Sequence, residues 1–310
     1  MTPTVTVVIP TKDRWSLLRR ALACALGQTG VALEVVVVDD GSTGPPPEWL
    51  TSAPDSRVRC VRQPCSSGVA RARNRGIEAA SGTWVAFLDD DDLWAPEHLS
   101  GLLDAMPPAA SFAFARHYVV DLEGSILSRG VDPAPERMLE QIVARNPVVT
   151  PSAVLAGREH LEAVGGFDPG FSITADWDLW IRLAGRGEVG VSRALTVGYT
   201  NHPDNMHNDT AGILREQRAL AAKHESLLRA LGMGLGDELF WQWVASAQDP
   251  AHQRRLGARW YVGNQWRYAR PWTIALGLIR LVRAPLLEDT LLKVEGEPVP
   301  TWMPAAAASR

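Results

Sequence analysis

The chain has 310 residues, of which 46% are apolar and 21% charged, with a formal net charge of −4. That is the profile of a globular protein long enough for one large α/β unit and an appendage, and its weak negative charge excludes a surface field that gathers nucleic acid. Three cysteines, Cys24, Cys60 and Cys65, are odd in number and lack CxxC spacing, which argues against a disulfide framework or a zinc site and for a reducing cytosol.

At the start of the chain, Val5–Pro10 runs directly into Lys12, Asp13 and Arg14. No secretory leader is expected there, and no later stretch offers the roughly 18 uncharged apolar residues of a bilayer span. Val5–Ile9, Glu34–Val38, Val58–Val61 and Trp84–Leu88 read as buried strands, rich in β-branched residues. Between them the spacing predicts helices over Trp15–Leu26 and Val69–Ala80, the second stopped by Ser81-Gly82. Another, Pro96–Met106, opens on a proline and is stopped by Pro107-Pro108. Strand–helix alternation of this kind implies a mostly parallel, Rossmann-like sheet covered by helices, with ligands at the carboxyl ends of the strands. Beyond residue 108, strands are predicted at Ser111–Val120, Pro147–Ala156 and Gly187–Tyr199, and helices at Asp176–Ala184 and Gly212–Leu231. From about 237 to 294 the pattern is helical, broken at Pro250, Pro271 and Pro285, and a proline- and alanine-rich tail closes the chain. This divides the chain into a nucleotide-sugar half (1–108), an acceptor half of the same domain (109–232), a helical extension (233–294) and a flexible tail (295–310).

Three acidic clusters carry chemistry. Asp89-Asp90-Asp91-Asp92 follows a buried strand and is flanked by Leu88 and Trp94. Carboxylates so close raise one another's pKa unless a cation intervenes, and a hard cation such as Mg²⁺ or Mn²⁺ takes one or two such ligands plus substrate phosphates. Asp39-Asp40-Gly41-Ser42 lies at another strand end, where a carboxylate can accept from a base or a ribose. Asp176 and Asp178 open an apolar helix, where they could serve only as first-turn acids.

In order and spacing, five segments resemble the family 2 glycosyltransferases. They are Val7-Val8-Ile9-Pro10-Thr11, Val38-Asp39-Asp40-Gly41-Ser42-Thr43, Gly68-Val69-Ala70-Arg71-Ala72-Arg73-Asn74, Phe87-Leu88-Asp89-Asp90-Asp91-Asp92 and Asp176-Trp177-Asp178-Leu179-Trp180. The resemblance covers about residues 3–210. It implies a GT-A fold and an inverting, hexosyltransferase-type enzyme that uses a nucleotide-diphosphate sugar, UDP- or dTDP-linked by preference, with Mn²⁺ or Mg²⁺. It implies nucleotide contacts from Pro10, Thr11, Asp13, Arg73, Asp89 and Asp90, base recognition by Asp40 with Asp39 beside it, and metal ligation by Asp91 and His202. Asp176 matches the catalytic base, and Trp177 and Asp178 would then face the acceptor. The chain departs from the family where Ala175 precedes Asp176 and where Thr200 follows Tyr199.

The implied acceptor is a glycan, a lipid-linked sugar or a small natural product, its nucleophile oxygen or nitrogen, and no nucleic acid is expected. Residues 251–294 interleave eight basic side chains, Arg254 to Lys293, with Trp260, Trp266 and Trp272. Such a surface suits a helical lid, a homodimer or peripheral contact with an anionic membrane, which places the protein in the cytosol or at the inner membrane face. Two rivals remain. A sugar nucleotidyltransferase would want glycines in the first loop, which Pro10–Arg14 lacks, and a sugar-nucleotide-binding protein would need no base. A dinucleotide oxidoreductase is excluded by the absent GxGxxG.

Overall fold

The computed structural model describes residues 4–231, apart from 53–54, 131–132, 134–137 and 207–208, together with 292–293 and 300–303. Strand β1 (Val5–Thr11) is the centre of the sheet, paired in parallel with β2 (Leu33–Asp39) on one side and β4 (Trp84–Phe87) on the other. Its side chains alternate between two cores. Val5, Val7 and Ile9 pack with Leu18, Leu22 and Ala25 of helix α1 (Trp15–Leu26) and with Leu99 and Leu102 of α4 (His98–Asp104). Val8 faces the other way, toward Ala72 and Ile77 of α3 (Val69–Ala79). All four of these β1 residues are fully buried, and each contributes about 1.5–3 kcal/mol on folding. Burial on both faces is why the strand reads as an unbroken apolar run.

Beyond β2 lie the short α2 (Glu48–Thr51) and β3 (Val58–Arg62), whose exposed Arg59 and Arg62 keep the sheet edge charged. On the other side of β4 the sheet turns mixed. β8 (Val154–Gly157) runs antiparallel to β4 and to β6 (Ala110–Val120). The long β9 (Glu188–Thr200) lies parallel to β6 along its whole length and then pairs with the two-residue β5 (Leu93–Trp94). β7 (Ile126–Arg129) forms a hairpin with β6. Helices α5 (Met138–Arg145), α6 (Arg158–Val164) and α7 (Ala175–Ala184) follow, with α5 and α6 both packed on α7. Helices α8 (Thr210–Lys223) and α9 (Glu225–Ala230) end the continuous part of the chain.

Three expectations are corrected. The strand expected over Pro147–Ala156 begins only at Val154, because Thr150 caps a short 3₁₀ turn over Pro151–Ala153 and proline brings no ladder N–H. The single helix expected over Gly212–Leu231 is two helices, broken at His224, whose ring is drawn 2.8 Å from Asp178 Oδ1. Most of the expected C-terminal helical region, with its arginine- and tryptophan-rich surface, lies outside the described residues, as does most of the tail. Where residues are described, Leu292–Lys293 is a strand, β10, antiparallel to β7. Among the described residues no helix is long and apolar enough to cross a membrane.

Gly76 shows how closely α3 sits on the sheet: a Cβ there would overlap the methyl groups of Val8. Gly76→Ala should therefore cost about 1–3 kcal/mol in urea unfolding, although alanine is the better helix former.

Candidate active site

The carboxyl ends of β1, β2 and β4 meet the end of β9 and the start of α7, and the three acidic clusters named above fall there. The four adjacent aspartates each have their own set of partners, with Arg14 shared between Asp90 and Asp91. Asp89 Oδ1 is 2.6 Å from Nη2 of Arg73, a nearly buried side chain of α3 that lies 5.3 Å over the Phe167 ring. Asp90 is fully buried, accepts from the Thr11 hydroxyl at 2.7 Å and from Arg14 Nε at 3.2 Å, and meets Arg14 Nη2 at 2.5 Å. Asp91 Oδ2 receives Arg14 Nη1 at 2.7 Å and His202 Nε2 at 3.0 Å. Asp92 accepts from the Thr150 hydroxyl and the Thr200 amide, each at 2.9 Å.

Burial lifts Asp90 to about 7 against the pull of Arg14. It lifts Asp92 as well, helped by the charges of Asp91 and Asp89. Arg14, which the motif reading passed over, is thus the cation that the crowded carboxylates demand. Its place at the end of the first strand loop, immediately before α1, was the available signal. Thr200, at a departure from the family pattern, also has a role: its amide holds Asp92 and its hydroxyl donates to the Asp91 carbonyl at 2.6 Å.

The Asp39–Ser42 turn works against the first loop and the segment before α3. Asp40 Oδ1 accepts from Gln63 Nε2 and from the Ser67 amide and hydroxyl, and Oδ2 from the Ser66 hydroxyl and the Gly68 amide, at 2.7–3.2 Å. These bonds occupy a carboxylate's acceptor sites, so Asp40, expected to read the base, here anchors the 63–68 segment. Gly41 makes this approach possible, with φ +68° and a Cβ position already taken by the Cys65–Ser66 backbone. Asp39 is fully buried; Oδ1 accepts from the Ser42 amide, and Oδ2 has no hydrogen bond, with Arg62 Nε 3.4 Å away. Asp13, exposed and at φ 54°, spends its carboxylate on the Thr43 amide, while its own amide donates to the Ser42 hydroxyl. Pro10 is buried at the end of β1.

Asp176 sits in the first turn of α7 with Oδ1 accepting the Trp177 amide at 2.7 Å. Burial pushes it up to about 7; the Trp177 amide and the Arg73 charge oppose this, and the Asp89 charge reinforces it. Its two neighbours, expected on the acceptor side, bond inward in this structure. Trp177 is 3% exposed and its indole N–H donates to the Ile142 carbonyl. Asp178 is 0% exposed and takes Arg182 on one oxygen, Lys223 and His224 on the other, at 2.6–2.8 Å. Burial alone would raise Asp178, but hydrogen bonds from His224 and Lys223 and the Arg182 charge hold it down at about 2.

A divalent ion suits one corner of this site. Two cis ligands of an octahedral ion lie about 3 Å apart, and Asp91 Oδ2 and His202 Nε2 are separated by 3.0 Å. Carboxylate and imidazole are a donor set that Mn²⁺ accepts. The Asp204 amide points at His202 Nδ1 from 3.3 Å, so Nε2 here carries the proton, and ligation calls for the other tautomer. Among the described residues no group of three His, Cys, Asp or Glu side chains is arranged to hold an ion alone.

Residues 6–158 match the family model described as Glycosyl transferase family 2. The succinoglycan biosynthesis protein ExoO of Rhizobium meliloti (strain 1021) is 38% identical over 159 residues, 51% of this chain and 45% of that protein, so the chain spans about half of this relative's length. A UDP-Glc:alpha-D-GlcNAc-diphosphoundecaprenol beta-1,3-glucosyltransferase of Escherichia coli, WfaP, is 24% identical over 59% of this chain and 71% of its own. Among solved structures, the mannosyltransferase PcManGT of Pyrobaculum calidifontis, in complex with GDP-Man and Mn2+, covers 93% of this chain and 88% of its own. It does so at a TM-score of 0.54 and 20% identity. The fold is therefore GT-A, a mixed sheet flanked by helices.

Asp178→Asn leaves Arg182 and Lys223 facing a neutral amide and should cost about 3 kcal/mol in urea unfolding at pH 7. The folded-state pKa is depressed, so the contribution is present above the unfolded value near 4 and lost as pH falls through about 2. The gap between variant and wild type should narrow accordingly below pH 4.

Proposed function

Through residues 6–158 the chain belongs to glycosyltransferase family 2, and on that premise we propose that it moves a sugar from a nucleoside-diphosphate donor to an acceptor nucleophile with inversion. One observation carries the proposal: a carboxylate poised near neutrality, Asp176 at about 7, stands at the head of α7 within the field of Asp89 and Arg73. A general base works best when its pKa lies near the operating pH.

Asp176 takes the proton of the acceptor O–H or N–H as the nucleophile's lone pair bonds to the anomeric carbon. The bond from that carbon to the diphosphate oxygen breaks on the opposite face, its electrons leaving with the nucleoside diphosphate. Asp91 and His202 would hold a Mn²⁺ or Mg²⁺, which would supply positive charge to offset that of the leaving diphosphate. Arg73 keeps Asp89 oriented toward the sugar and ribose. Asp39, rather than Asp40, retains an oxygen for the base, and Thr11, Asp13 and Asp90 shape the loop around the nucleotide. A carboxylate acceptor for an imide N–H suits uridine or thymidine, and the Escherichia coli relative named above uses UDP-Glc. On the acceptor side, exposed Val149 and Met206 lie close in sequence to Thr150 and His202 and offer apolar contact for a lipid-linked acceptor such as that relative's. Docking at the membrane surface or as a homodimer through the C-terminal region would bring the enzyme to such a substrate.

The donor is tested by thermal unfolding with UDP, TDP and GDP, each with Mn²⁺ or with chelator. A nucleotide at a hundred times its Kd should add about 2.7 kcal/mol, and chelator should remove the gain. No gain with any nucleotide would overturn the metal–diphosphate arrangement. Asp176→Asn should lower kcat by about 10²–10⁴-fold with nucleotide stabilisation intact. Because the base must be unprotonated, kcat/KM should fall about tenfold per unit as pH drops below 7, where an ordinary aspartate would hold activity to about pH 4. A profile flat down to pH 5 would remove Asp176 from that role.

A further inference from the structure

Helix α8 reaches across 42–44 residues of chain to grip the turn from which α7 starts. Glu216 Oε1 accepts the Ser172 amide at 3.0 Å and the Ser172 hydroxyl at 2.6 Å. Its Oε2 accepts the Ile173 amide at 2.8 Å, the Thr174 amide at 2.9 Å and the Thr174 hydroxyl at 3.1 Å. Thr174 is the N-cap residue of α7, yet its side chain makes no cap bond to the helix. The hydroxyl that would ordinarily cap has gone to Glu216, and the first-turn amide of Trp177 is taken by Asp176 itself. Burial would favour the neutral acid, but the hydroxyl and amide bonds hold Glu216 below its ordinary value, so it stays an acceptor.

The same helical pair grips the far side of that turn. Lys223 and His224 bind Asp178, and Lys223 also binds Asp168, so one hairpin brackets Asp176 from residue 168 to residue 178. Close approach is possible because position 212 is glycine: a Cβ there would meet Ile173 Cδ1 at 2.8 Å. We propose that Glu216 is a positioning residue for catalysis, fixing the 172–174 turn so that the Asp176 carboxylate is aimed at the acceptor. The proposal rests on Asp176 being the base. It adds to the catalytic machinery a residue of α8, a helix to which no other role in the reaction is assigned.

The test is a double-mutant cycle on the full chain with Mn²⁺ and the donor that the nucleotide panel selects, following release of nucleoside diphosphate. Glu216→Ala should lower kcat about ten- to a hundredfold, the effect expected of a base misplaced by about 1 Å, and leave donor KM within twofold. Glu216→Gln, which keeps one accepting oxygen, should recover part of the loss. In an Asp176→Asn background, Glu216→Ala should lower kcat no further, since the two act as a unit. An equal loss in both backgrounds would make Glu216 a structural brace only and overturn the proposal. So would wild-type kcat in Glu216→Gln and Glu216→Ala while Asp176→Asn is inactive. Should Glu216→Ala fail to fold, Glu216→Gln carries the same comparison, and undiminished turnover in it is again decisive against. Wild-type turnover in Asp176→Asn would instead remove the base assignment itself, a separate result from either.

Discussion

Four carboxylates on consecutive residues cannot share one pocket, and the architecture of the site follows from separating them. Asp89 is turned to Arg73, Asp90 to Thr11 and Arg14, Asp91 to Arg14 and His202, and Asp92 to Thr150 and Thr200. These partners come from the ends of β1 and β9, from α3 and from the turn before β8. The acidic strand end is therefore a junction that pulls four distant parts of the chain together. Its most buried members, Asp90 and Asp92, do structural work, while the two outer ones, Asp89 and Asp91, border the cleft.

Asp176 and Asp178 show how little the residue type decides. They stand two positions apart at the head of one helix, an interval that sends their side chains to different faces. One takes a single short hydrogen bond from its neighbour, lies within the field of Arg73 and Asp89, and is pushed up by burial to about 7. The other is surrounded by Arg182, Lys223 and His224 and is held at about 2. Divergent environments around like groups are the signature of divided labour between a titrating group and a structural one.

The N-terminal half was legible because its signals are local. β1, α1, β2 and α3 announce themselves through apolar runs and helical spacing, and the acidic motifs mark strand ends by their abrupt polarity. What escaped is what depends on contacts between remote residues. Arg14 reaches Asp90 and Asp91 across 76 and 77 residues, Thr200 reaches Asp92 across 108, and Glu216 reaches the 172–174 turn across more than 40. The inward course of Trp177 and Asp178 has the same origin: it depends on Ile142, Lys223 and His224, which come from α5 and from the α8–α9 junction. The break at His224 has no local signal either, since the pull comes from Asp178.

The seam between β8 and α6, where the family match stops, falls within one continuous sheet, with the Asp39–Ser42 and Asp89–Asp92 clusters before it and Asp176 and His202 after it. A hybrid joined there, with the first part of this chain grafted onto the second part of a relative, would bring together nucleotide and acceptor preferences of separate origin. The whole β6–β9 ladder crosses this seam, and so do the contacts of Asp91 with His202, Asp92 with Thr200, and Asn74 with the backbone of Phe167, all of which would have to be rewoven for the graft to hold. Because the ladder and two of these three contacts end on main-chain groups, the seam asks more of backbone course than of side-chain identity.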